Sequence, residues 1–196
     1  MKNSVLEPLI NELKKLPGVG AKSAERMVYE LLKTNNENRE RLATNIINLK
    51  KINNCDVCNN LTIAVTCDIC LNDERDNNQL LITDDVRNIN IFEDNKLFPG
   101  KYFVLNNLIS PMHGVAPDDL NIEQLEKMVN LNNVNEVVLA LKPNIEGEAT
   151  ALYIAKIFAG KVKVSKMARG IPIGAEMEYL DSLTLSQALM DRREIN

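Results

Sequence analysis

The feature that most constrains how this chain can fold is a set of cysteines arranged in two Cys-x-x-Cys pairs. Eight residues separate the pairs, which use every cysteine in the chain: Cys55, Cys58, Cys67 and Cys70. The surrounding segment, residues 53–78, contains too little apolar material for a core of its own. We therefore expect a bound ion to hold it, because two such thiolate turns can close a tetrahedral site.

A structural Zn²⁺ site is the interpretation that this spacing favours. Disulfides are typical of secreted chains, and residues 1–15 alternate apolar and charged side chains instead of forming a signal peptide. Iron–sulfur sites more often use other spacings. Four thiolates leave the ion no open position for a substrate, and its binding free energy is on the order of 10–16 kcal/mol in comparable peptides. We expect one Zn²⁺ per chain, with no catalytic role.

The N-terminal quarter has the pattern of a small helical unit with a basic surface. Apolar residues recur at spacings of three and four over residues 6–16 and 21–32, and a third helical pattern follows around Leu42. Residues 1–51 contain 10 Lys/Arg and 6 Asp/Glu, whereas residues 52–196 contain 13 and 21, and the whole chain has a net charge of -4. A polyanionic partner should therefore meet the N-terminal unit.

Between the first two helical patterns lies Leu-Pro-Gly-Val-Gly-Ala-Lys-Ser, residues 16–23. A phosphate-binding P-loop would need a preceding strand and a Gly directly before the Lys, and this segment has neither. A helix-hairpin-helix explains it better, since Gly18 and Gly20 permit a tight turn whose backbone N–H groups can hold a phosphate oxygen. Lys22 and Arg26 lie on one face of the second helix and could reach the same DNA backbone without reading bases. The competing interpretation is a plain αα-hairpin with solvated charges.

From Leu80 onward, short apolar runs alternate with helical patterns. The predicted strands are residues 80–83, 102–105, 136–141 and 162–167, and the predicted helices are residues 121–131 and 148–159. This alternation is typical of βαβ units around a mainly parallel sheet. A short amphipathic helix is predicted at residues 183–193. The expected fold class is α/β with several domains.

Acidic side chains follow two of the predicted strands. Asp84 comes after the first strand, and Glu146 and Glu148 follow the strand at residues 136–141. Ligands and partners meet the carboxyl ends of parallel strands, so these carboxylates are candidates for a site. Two interpretations remain open: they hold Mg²⁺, which prefers carboxylate oxygen, or Glu148 caps the next helix while Gly147 allows the turn.

The composition limits the class of protein. No apolar run approaches the roughly 18 residues that would span a bilayer. Apolar residues make up 45% of the chain and charged residues 26%, which is typical of a soluble globular protein. We expect a cytoplasmic protein with no membrane partner.

Taken in order, the motifs resemble those of the RecR family of bacterial recombination mediators. The matching segments cover nearly the whole chain: Leu-Pro-Gly-Val-Gly-x-Lys-Ser-Ala-x-Arg-Met at 16–27, the two cysteine pairs, Phe-Pro-Gly-Lys-Tyr-Phe-Val-Leu at 98–105, Ile-Ser-Pro at 109–111, Glu-Gly-Glu-Ala-Thr-Ala-Leu-Tyr-Ile at 146–154 and Ala-Arg-Gly-Ile-Pro-Ile-Gly at 168–174. The resemblance implies a helix-hairpin-helix (1–52), a four-cysteine zinc finger (53–78), a Toprim domain (79–172) and a C-terminal segment for oligomer contacts (173–196).

The same resemblance implies a function and partners. Family members bind single- and double-stranded DNA, assemble as dimers or as a ring-like tetramer, and work with RecO, and in many bacteria with RecF, to load RecA onto single-stranded DNA covered by SSB. Lys22 and Arg26 would take the DNA-contacting positions, and the four cysteines would be the zinc ligands. Asp84 stands where the Toprim fold usually has Glu.

An enzyme has to be weighed, because Toprim domains of topoisomerases and primases use carboxylates with Mg²⁺ on phosphodiesters. The alternative is a small Toprim nuclease of the ribonuclease M5 type, which explains neither the hairpin nor the cysteines. A zinc-stabilised adaptor that meets only proteins is a third possibility. The chain lacks a cleavage domain and a histidine near the acidic residues. We therefore expect no catalysis, and an acidic surface of Asp84, Glu146 and Glu148 for a partner such as RecO.

Overall fold

The computed structural model describes residues 5–168, 170–192 and 194. The chain divides after Ile52 into two compact units. Arg169, in the motif at 168–174, and Arg193, the predicted end of the C-terminal helix, lie outside the described residues. Within the described ranges, every helix is too short or too polar to cross a bilayer.

The first unit consists of three helices, and the periodicity predicted all of them. They are α1 (Leu6–Leu13), α2 (Ala21–Lys33) and α3 (Asn36–Asn48). The apolar pattern of α1 continues to Leu16, but the helix ends earlier and the chain continues in tight turns, because the residue before Pro17 is disfavoured in the α conformation. Ala24 and Val28 of α2 are buried.

The second unit contains the cysteine segment and a four-stranded sheet. The cysteine segment has a two-residue antiparallel pair, β1 (Asn53–Asn54) with β2 (Leu61–Thr62), and one short helix, α4 (Asp68–Leu71). The sheet consists of β3 (Asp76–Thr83), β4 (Gly100–Val104), β5 (Glu136–Ala140) and β6 (Lys163–Lys166). Their order is β4-β3-β5-β6, and every neighbouring pair is parallel. All four predicted strands are therefore present.

Helices connect the strands and cover both faces of the sheet. They are α5 (Val86–Asp94), α6 (Ile122–Leu131) and α7 (Ile145–Ile157), and α8 (Ser182–Met190) follows near the end of the chain. Because side chains alternate along a strand, Leu80 and Ile82 of β3 pack on one face with residues of α6, α7 and the cysteine segment. Leu81 packs on the other face with Ile89 of α5.

The order of the strands creates a crevice at one edge of the sheet. From β3 the chain passes to β4 on one side, and β5 then returns to the opposite side of β3. Ligand and partner sites in open parallel sheets lie where the strand order reverses, outside the carboxyl ends of the strands. The residues that follow β3 and β5, Asp84 and Lys142, lie at this point.

Sequence periodicity missed helix α5, as it missed the short elements β1, β2 and α4 of the cysteine segment. The sequence of α5 mixes Asn and Asp with β-branched residues, which favour other conformations and obscure the apolar stripe. The side chain of Asp85 accepts a hydrogen bond from the Arg87 N–H (2.9 Å) and so caps the start of the helix. Burial of Ile89 against the sheet then holds the helix in place.

Candidate metal centre, DNA-contacting turn and acidic edge

The four cysteine sulfurs form a compact cluster that fits a tetrahedral ion. Cys58 Sγ lies 3.6 Å from Cys67 Sγ, Cys55 Sγ lies 3.9 Å from Cys70 Sγ, and all four sulfurs are within 4.8 Å of one another. A tetrahedral site with Zn–S bonds of about 2.3 Å requires sulfur separations of about 3.8 Å. Among the described residues, these cysteines are the one group of His, Cys, Asp or Glu found close enough to share an ion.

Local backbone geometry explains why the cysteines converge. In the first pair, the Cys55 N–H donates to Asn60 O (2.7 Å) and the Asn59 N–H donates to Cys55 O (2.9 Å), while Asn59 adopts a left-handed conformation with φ +61°. The second pair enters helix α4 directly after Cys67. The Cys67 N–H donates to Cys55 Sγ at 3.3 Å, an outer hydrogen bond of the kind that orients metal ligands.

Four clustered cysteines can become thiolates only if a proton or a cation among the sulfurs balances the negative charge. A hydrogen bond with Cys67, together with burial, raises the pKa of the Cys58 thiol far above its usual range. The hydrogen bond from Cys58 lowers the pKa of Cys67 to about 2. One thiolate is therefore stabilised by the thiol proton of its neighbour, and a divalent cation bound to all four sulfurs as thiolates would take the place of all the thiol protons.

The cysteine segment is held by the sheet as well as by its own turns. The Val104 N–H at the end of β4 donates to Cys58 O (2.8 Å), and Gln124 Nε2 of α6 donates to Asp56 O (2.6 Å). Cys55, Cys58 and Cys67 are buried in the core cluster that also contains Phe103. The segment therefore has no separate core, as expected, and shares the core of the sheet.

The glycine turn leads directly into α2, and only one of its two glycines needs its conformational freedom. Gly18 has φ +78°, which favours glycine, whereas Gly20 has an extended backbone that other residues also adopt. Gly20 is the N-cap of α2 and provides no side-chain cap, and the first N–H groups of a helix lack intrahelical acceptors. An added Cβ at Gly20 would meet nothing within 4 Å, so the approach to these amides is open on that side.

Lys22 and Arg26 are both exposed on α2, as the sequence pattern predicts. Within the described parts of the chain, neither side chain makes a hydrogen bond or an ion pair. Other lysines of the unit are paired, since Lys15 contacts Glu12 and Lys33 contacts Glu30, each at 2.7 Å. No carboxylate of the described chain therefore neutralises the two α2 cations nearest the glycine turn.

The structure places the three candidate carboxylates at the crevice but in different environments. The Asp84 side chain is only 4% exposed, and Lys142 Nζ lies 3.1 Å from its Oδ2, although neither carboxylate oxygen accepts a well-oriented hydrogen bond. Glu148, in the first turn of α7, is 3.2 Å from Lys166 Nζ. Glu146, also in the first turn, is half-buried. Apart from the cysteines, the described residues contain no group arranged to share an ion, so these three carboxylates do not form one.

The start of α7 corrects the capping interpretation. The helix begins at Ile145 and its cap is Asn144, whose side chain accepts from the Gly147 N–H (2.8 Å), so the expectation that Glu148 is the cap is wrong. A Cβ at Gly147 would lie 1.9 Å from Lys142 O, which means that only glycine allows this approach of helix to strand. This contact, from an N-cap side chain to the N–H three residues later, is the usual capping geometry.

Sequence reasoning missed the lysines at this edge. Lys142 and Lys166 line a cleft of about 300 Å³ together with Asn88, Phe92 and Glu148. Each lysine neutralises a carboxylate that the sequence had singled out. The available signal was that Lys142 directly follows the predicted strand at residues 136–141, at the same edge as Asp84.

Comparisons with known proteins agree along the length of the chain. Family models match residues 6–50 ("RecR, helix-hairpin-helix"), 78–168 ("Toprim domain") and 170–193 ("RecR, C-terminal"). The chain is 41% identical over 192 residues to "Recombination protein RecR" of Gloeothece citriformis, covering 97% of this chain and 96% of that one. The protein of the same name from Koribacter versatilis is 41% identical over 189 residues (95% of each chain), and that of Tropheryma whipplei strain Twist is 40% identical over 194 residues (98% of each).

These matches bear on the predicted architecture. They confirm the helix-hairpin-helix, the Toprim domain with its parallel sheet, and a C-terminal segment typical of the family. The cysteine pairs lie between the first two matched ranges. The four predicted domain ranges and the roles of the site residues stay predictions.

Proposed function

The chain belongs to the RecR family of recombination proteins, and on this premise we propose that it is a DNA-binding mediator of recombinational repair. In this role it works in the cytoplasm with RecO, and with RecF in bacteria that have it, to load RecA onto single-stranded DNA covered by SSB. It binds both single- and double-stranded DNA. The observation that carries the proposal is the unpaired basic surface beside the glycine turn of α1 and α2.

A DNA phosphate fits this surface for three physical reasons. The open amides at the start of α2 can donate to a phosphate oxygen, and the helix dipole favours an anion there. Lys22 and Arg26 extend the contact by one turn, and their charges are not neutralised within the described chain. All these groups contact phosphate and none reads a base, so binding should be independent of sequence.

Salt dependence tests this proposal directly. Each phosphate contact contributes a slope of about -0.9 on duplex DNA and about -0.7 on single strands in a plot of log affinity against log salt. Replacing both Lys22 and Arg26 by Ala should therefore flatten the slope by about 1.8 on duplex and about 1.4 on single strands, for all sequences alike. Gel-shift titration or fluorescence anisotropy at several salt concentrations measures this.

Lys33→Ala is the matched control, because Lys33 lies on the same helix but is already paired with Glu30. It should leave the slope close to that of the wild type. A double variant of Lys22 and Arg26 that binds at low salt as tightly as the wild type would exclude the hairpin as the DNA-contacting surface. It would then favour an adaptor that meets only proteins.

The metal that fits the cysteine cluster is Zn²⁺. The sulfur separations match a tetrahedral Zn–S₄ site, and the site is closed by four protein ligands. When bound, the ion supplies charge and cross-linking, and no chemistry on a substrate. Its role is to hold the cysteine turns against the end of β4, where Cys58 O accepts from Val104.

The acidic edge, formed by the carboxylates of Asp84, Glu146 and Glu148, suits a basic protein partner better than a reaction on phosphodiesters. Lys142 and Lys166 neutralise Asp84 and Glu148, so the carboxylates are not set apart as ligands for Mg²⁺. Glu146 makes no ion pair within the described residues and is the carboxylate most available to a partner such as RecO. We therefore propose that this edge is an encounter surface and that the chain has no catalytic centre.

Contacts between copies of the chain are assigned to the C-terminal segment. Its large apolar side chains, among them Ile173, Tyr179 and Leu183, are exposed in the single chain. Packing them against another copy would remove this surface from water and favour a dimer or a ring-like tetramer. Light scattering with and without DNA measures the number of copies, and a monomer at all concentrations would contradict the assignment.

A further inference from the structure

Lys101 is a buried lysine that lies against the metal centre. It lies on β4, an edge strand of the sheet, opposite Leu80 of β3, and the residue is only 8% exposed. Its Nζ donates to Cys70 O at 3.2 Å. Within the described residues this is its one hydrogen bond, and no carboxylate pairs with it.

A buried ammonium group needs negative charge nearby. Lysine is almost never fully buried without a charged partner, because leaving water costs an unpaired charge several kcal/mol or more. The Cys70 carbonyl is a neutral acceptor, so it satisfies one N–H group but does not balance the charge. The structure therefore contains a buried cation whose counter-charge is not a carboxylate.

The cysteine cluster supplies that counter-charge when it holds a divalent ion. Four thiolates and one divalent cation carry a net charge of two negative units, and three of the four cysteines are buried. Side chains alternate along β4, so Lys101 and Phe103 lie on the same face, and Phe103 packs in the core cluster with Cys55, Cys58 and Cys67. Lys101 is thus buried on the face of β4 that packs against the cysteines, and its ammonium group donates to the carbonyl of one of them, Cys70.

We infer that Lys101 is the counter-charge of the metal centre, a positioning residue that raises metal affinity by neutralising part of the excess charge of the four thiolates. The inference rests on the proposed metal occupancy of the cysteine cluster. It explains why a charged residue occupies a buried strand position that would ordinarily be apolar. It also links the metal to the sheet through Cys70 as well as through Cys58.

The test compares Lys101→Met, which keeps the length of the side chain and removes its charge, with Lys101→Arg, which keeps the charge. Lys127→Met is the control, because Lys127 is exposed on α6. Zn²⁺ affinity is measured by competition with a chromogenic chelator, after the metal content of each protein has been determined. Loss of an outer partner of a metal ligand typically lowers affinity by about 10-fold to 100-fold.

We expect Lys101→Met to lose affinity within that range, Lys101→Arg to recover most of it, and Lys127→Met to match the wild type. If Lys101→Met and the wild type each bind one Zn²⁺ with equal affinity, Lys101 is not the counter-charge of the site, although the zinc site itself is confirmed. Failure of the wild type itself to bind Zn²⁺ would overturn the metal site and this inference together.

A second measurement separates charge balance from simple packing. Metal binding raises the melting temperature by an amount that depends on affinity, so the rise on adding Zn²⁺ should be smaller in Lys101→Met than in wild type. The metal-free variant should melt no lower than the metal-free wild type, since it no longer buries an unbalanced charge. If Lys101→Met lowers the melting temperature equally with and without Zn²⁺, Lys101 acts only through packing, and the inference is contradicted.

Discussion

At the scale of single residues, the most constrained network links the start of β3 to α5 and β4. The guanidinium of Arg75 makes a bidentate pair with Glu93 (2.7 and 2.8 Å) and donates to Gly100 O and Phe98 O. The Tyr102 hydroxyl donates to the same carboxylate at 2.5 Å. Burial and this hydrogen bond raise the pKa of Tyr102 above its usual range. The network fixes the chain that leaves the cysteine segment against the sheet.

Glu93 makes the stability of this network depend on pH. Burial alone would raise the pKa of the Glu93 carboxyl, but hydrogen bonds from Arg75 and Tyr102 outweigh it and lower the pKa. A depressed carboxyl pKa contributes stability that is present above the unfolded value of about 4.3 and is lost as pH falls through the folded value. We expect Glu93→Gln to lower the free energy of unfolding by about 1–2 kcal/mol at pH 7, allowing for its partial exposure.

Urea unfolding of wild type and Glu93→Gln over pH 7 to 3 measures this difference. The gap between the two proteins should shrink below about pH 4.3, because the wild-type carboxyl is then neutralised as well. Glu123→Gln, an exposed change on α6, should show no comparable gap. A gap of constant size down to pH 3 would mean that the charge of Glu93 is unimportant.

At the scale of elements, the cysteine segment joins the sheet although its own strands are only two residues long. Its hydrogen bonds to β4 and α6 and its three buried cysteines attach it to the core. These contacts involve the cysteine turns themselves, and they depend on the turns keeping their shape. An ion bound to the four cysteines would therefore stabilise the attachment to the sheet as well as the local loop.

We expect Cys67→Ser to remove metal binding and destabilise this attachment. Serine keeps the size of the side chain but offers a hard, protonated oxygen in place of a thiolate, and Cys67 is the buried ligand that links both pairs through its sulfur and its N–H group. Elemental analysis should find close to one Zn²⁺ per wild-type chain and much less in the variant, with a lower melting temperature and aggregation.

The control for this substitution is Ser165→Ala on β6, a change of similar size away from the cysteines. It should leave the metal content unchanged. If added Zn²⁺ does not raise the melting temperature of the metal-free wild type, and Cys67→Ser melts at the same temperature as the wild type, the ion has no structural role.

At the scale of the whole molecule, acidic and basic residues are segregated along the chain. Residues 1–51 carry a net charge of +4 and residues 52–196 a net charge of -8. A field of this kind attracts DNA to one part of the chain and a basic protein to the other, and it acts mainly on encounter rate and specificity. DNA binding and partner binding should therefore be separable by mutation.

Glu146→Ala tests this separation at the acidic edge. We expect it to weaken RecO binding several-fold, more than Glu148→Ala does, because Glu148 is already paired with Lys166. DNA binding by the N-terminal unit should stay nearly unchanged. Titration of RecO by calorimetry or anisotropy measures the effect, and Glu123→Ala is the control, since it removes an exposed acid elsewhere in the same unit.

The same variants test whether the protein is a nuclease. Wild-type protein incubated with labelled DNA and structured RNA in Mg²⁺ or Mn²⁺ should leave both intact. Cleavage that disappears in Glu146→Ala and Glu148→Ala, with RecO binding unaffected, would instead identify a metal-dependent nuclease, because such an enzyme depends on its metal carboxylates.

Features that depend on neighbours along the chain could be predicted from the order of the residues. Spacing alone indicated the cysteine cluster, the hairpin with Lys22 and Arg26, the three N-terminal helices and the four strands, because helical and strand periodicity and turn chemistry are local. Helix α5 escaped this reasoning since Asp85 and Ile89 hold it through a cap and a tertiary contact.

Contacts between distant residues depend on how the whole chain folds. The strand order places Lys142 beside Asp84, 58 positions away along the chain, and brings Lys166 to Glu148. It also buries Lys101 against Cys70, a contact that no spacing in the sequence indicates. Such pairings depend on desolvation and charge balance over the whole core, and a local pattern specifies neither.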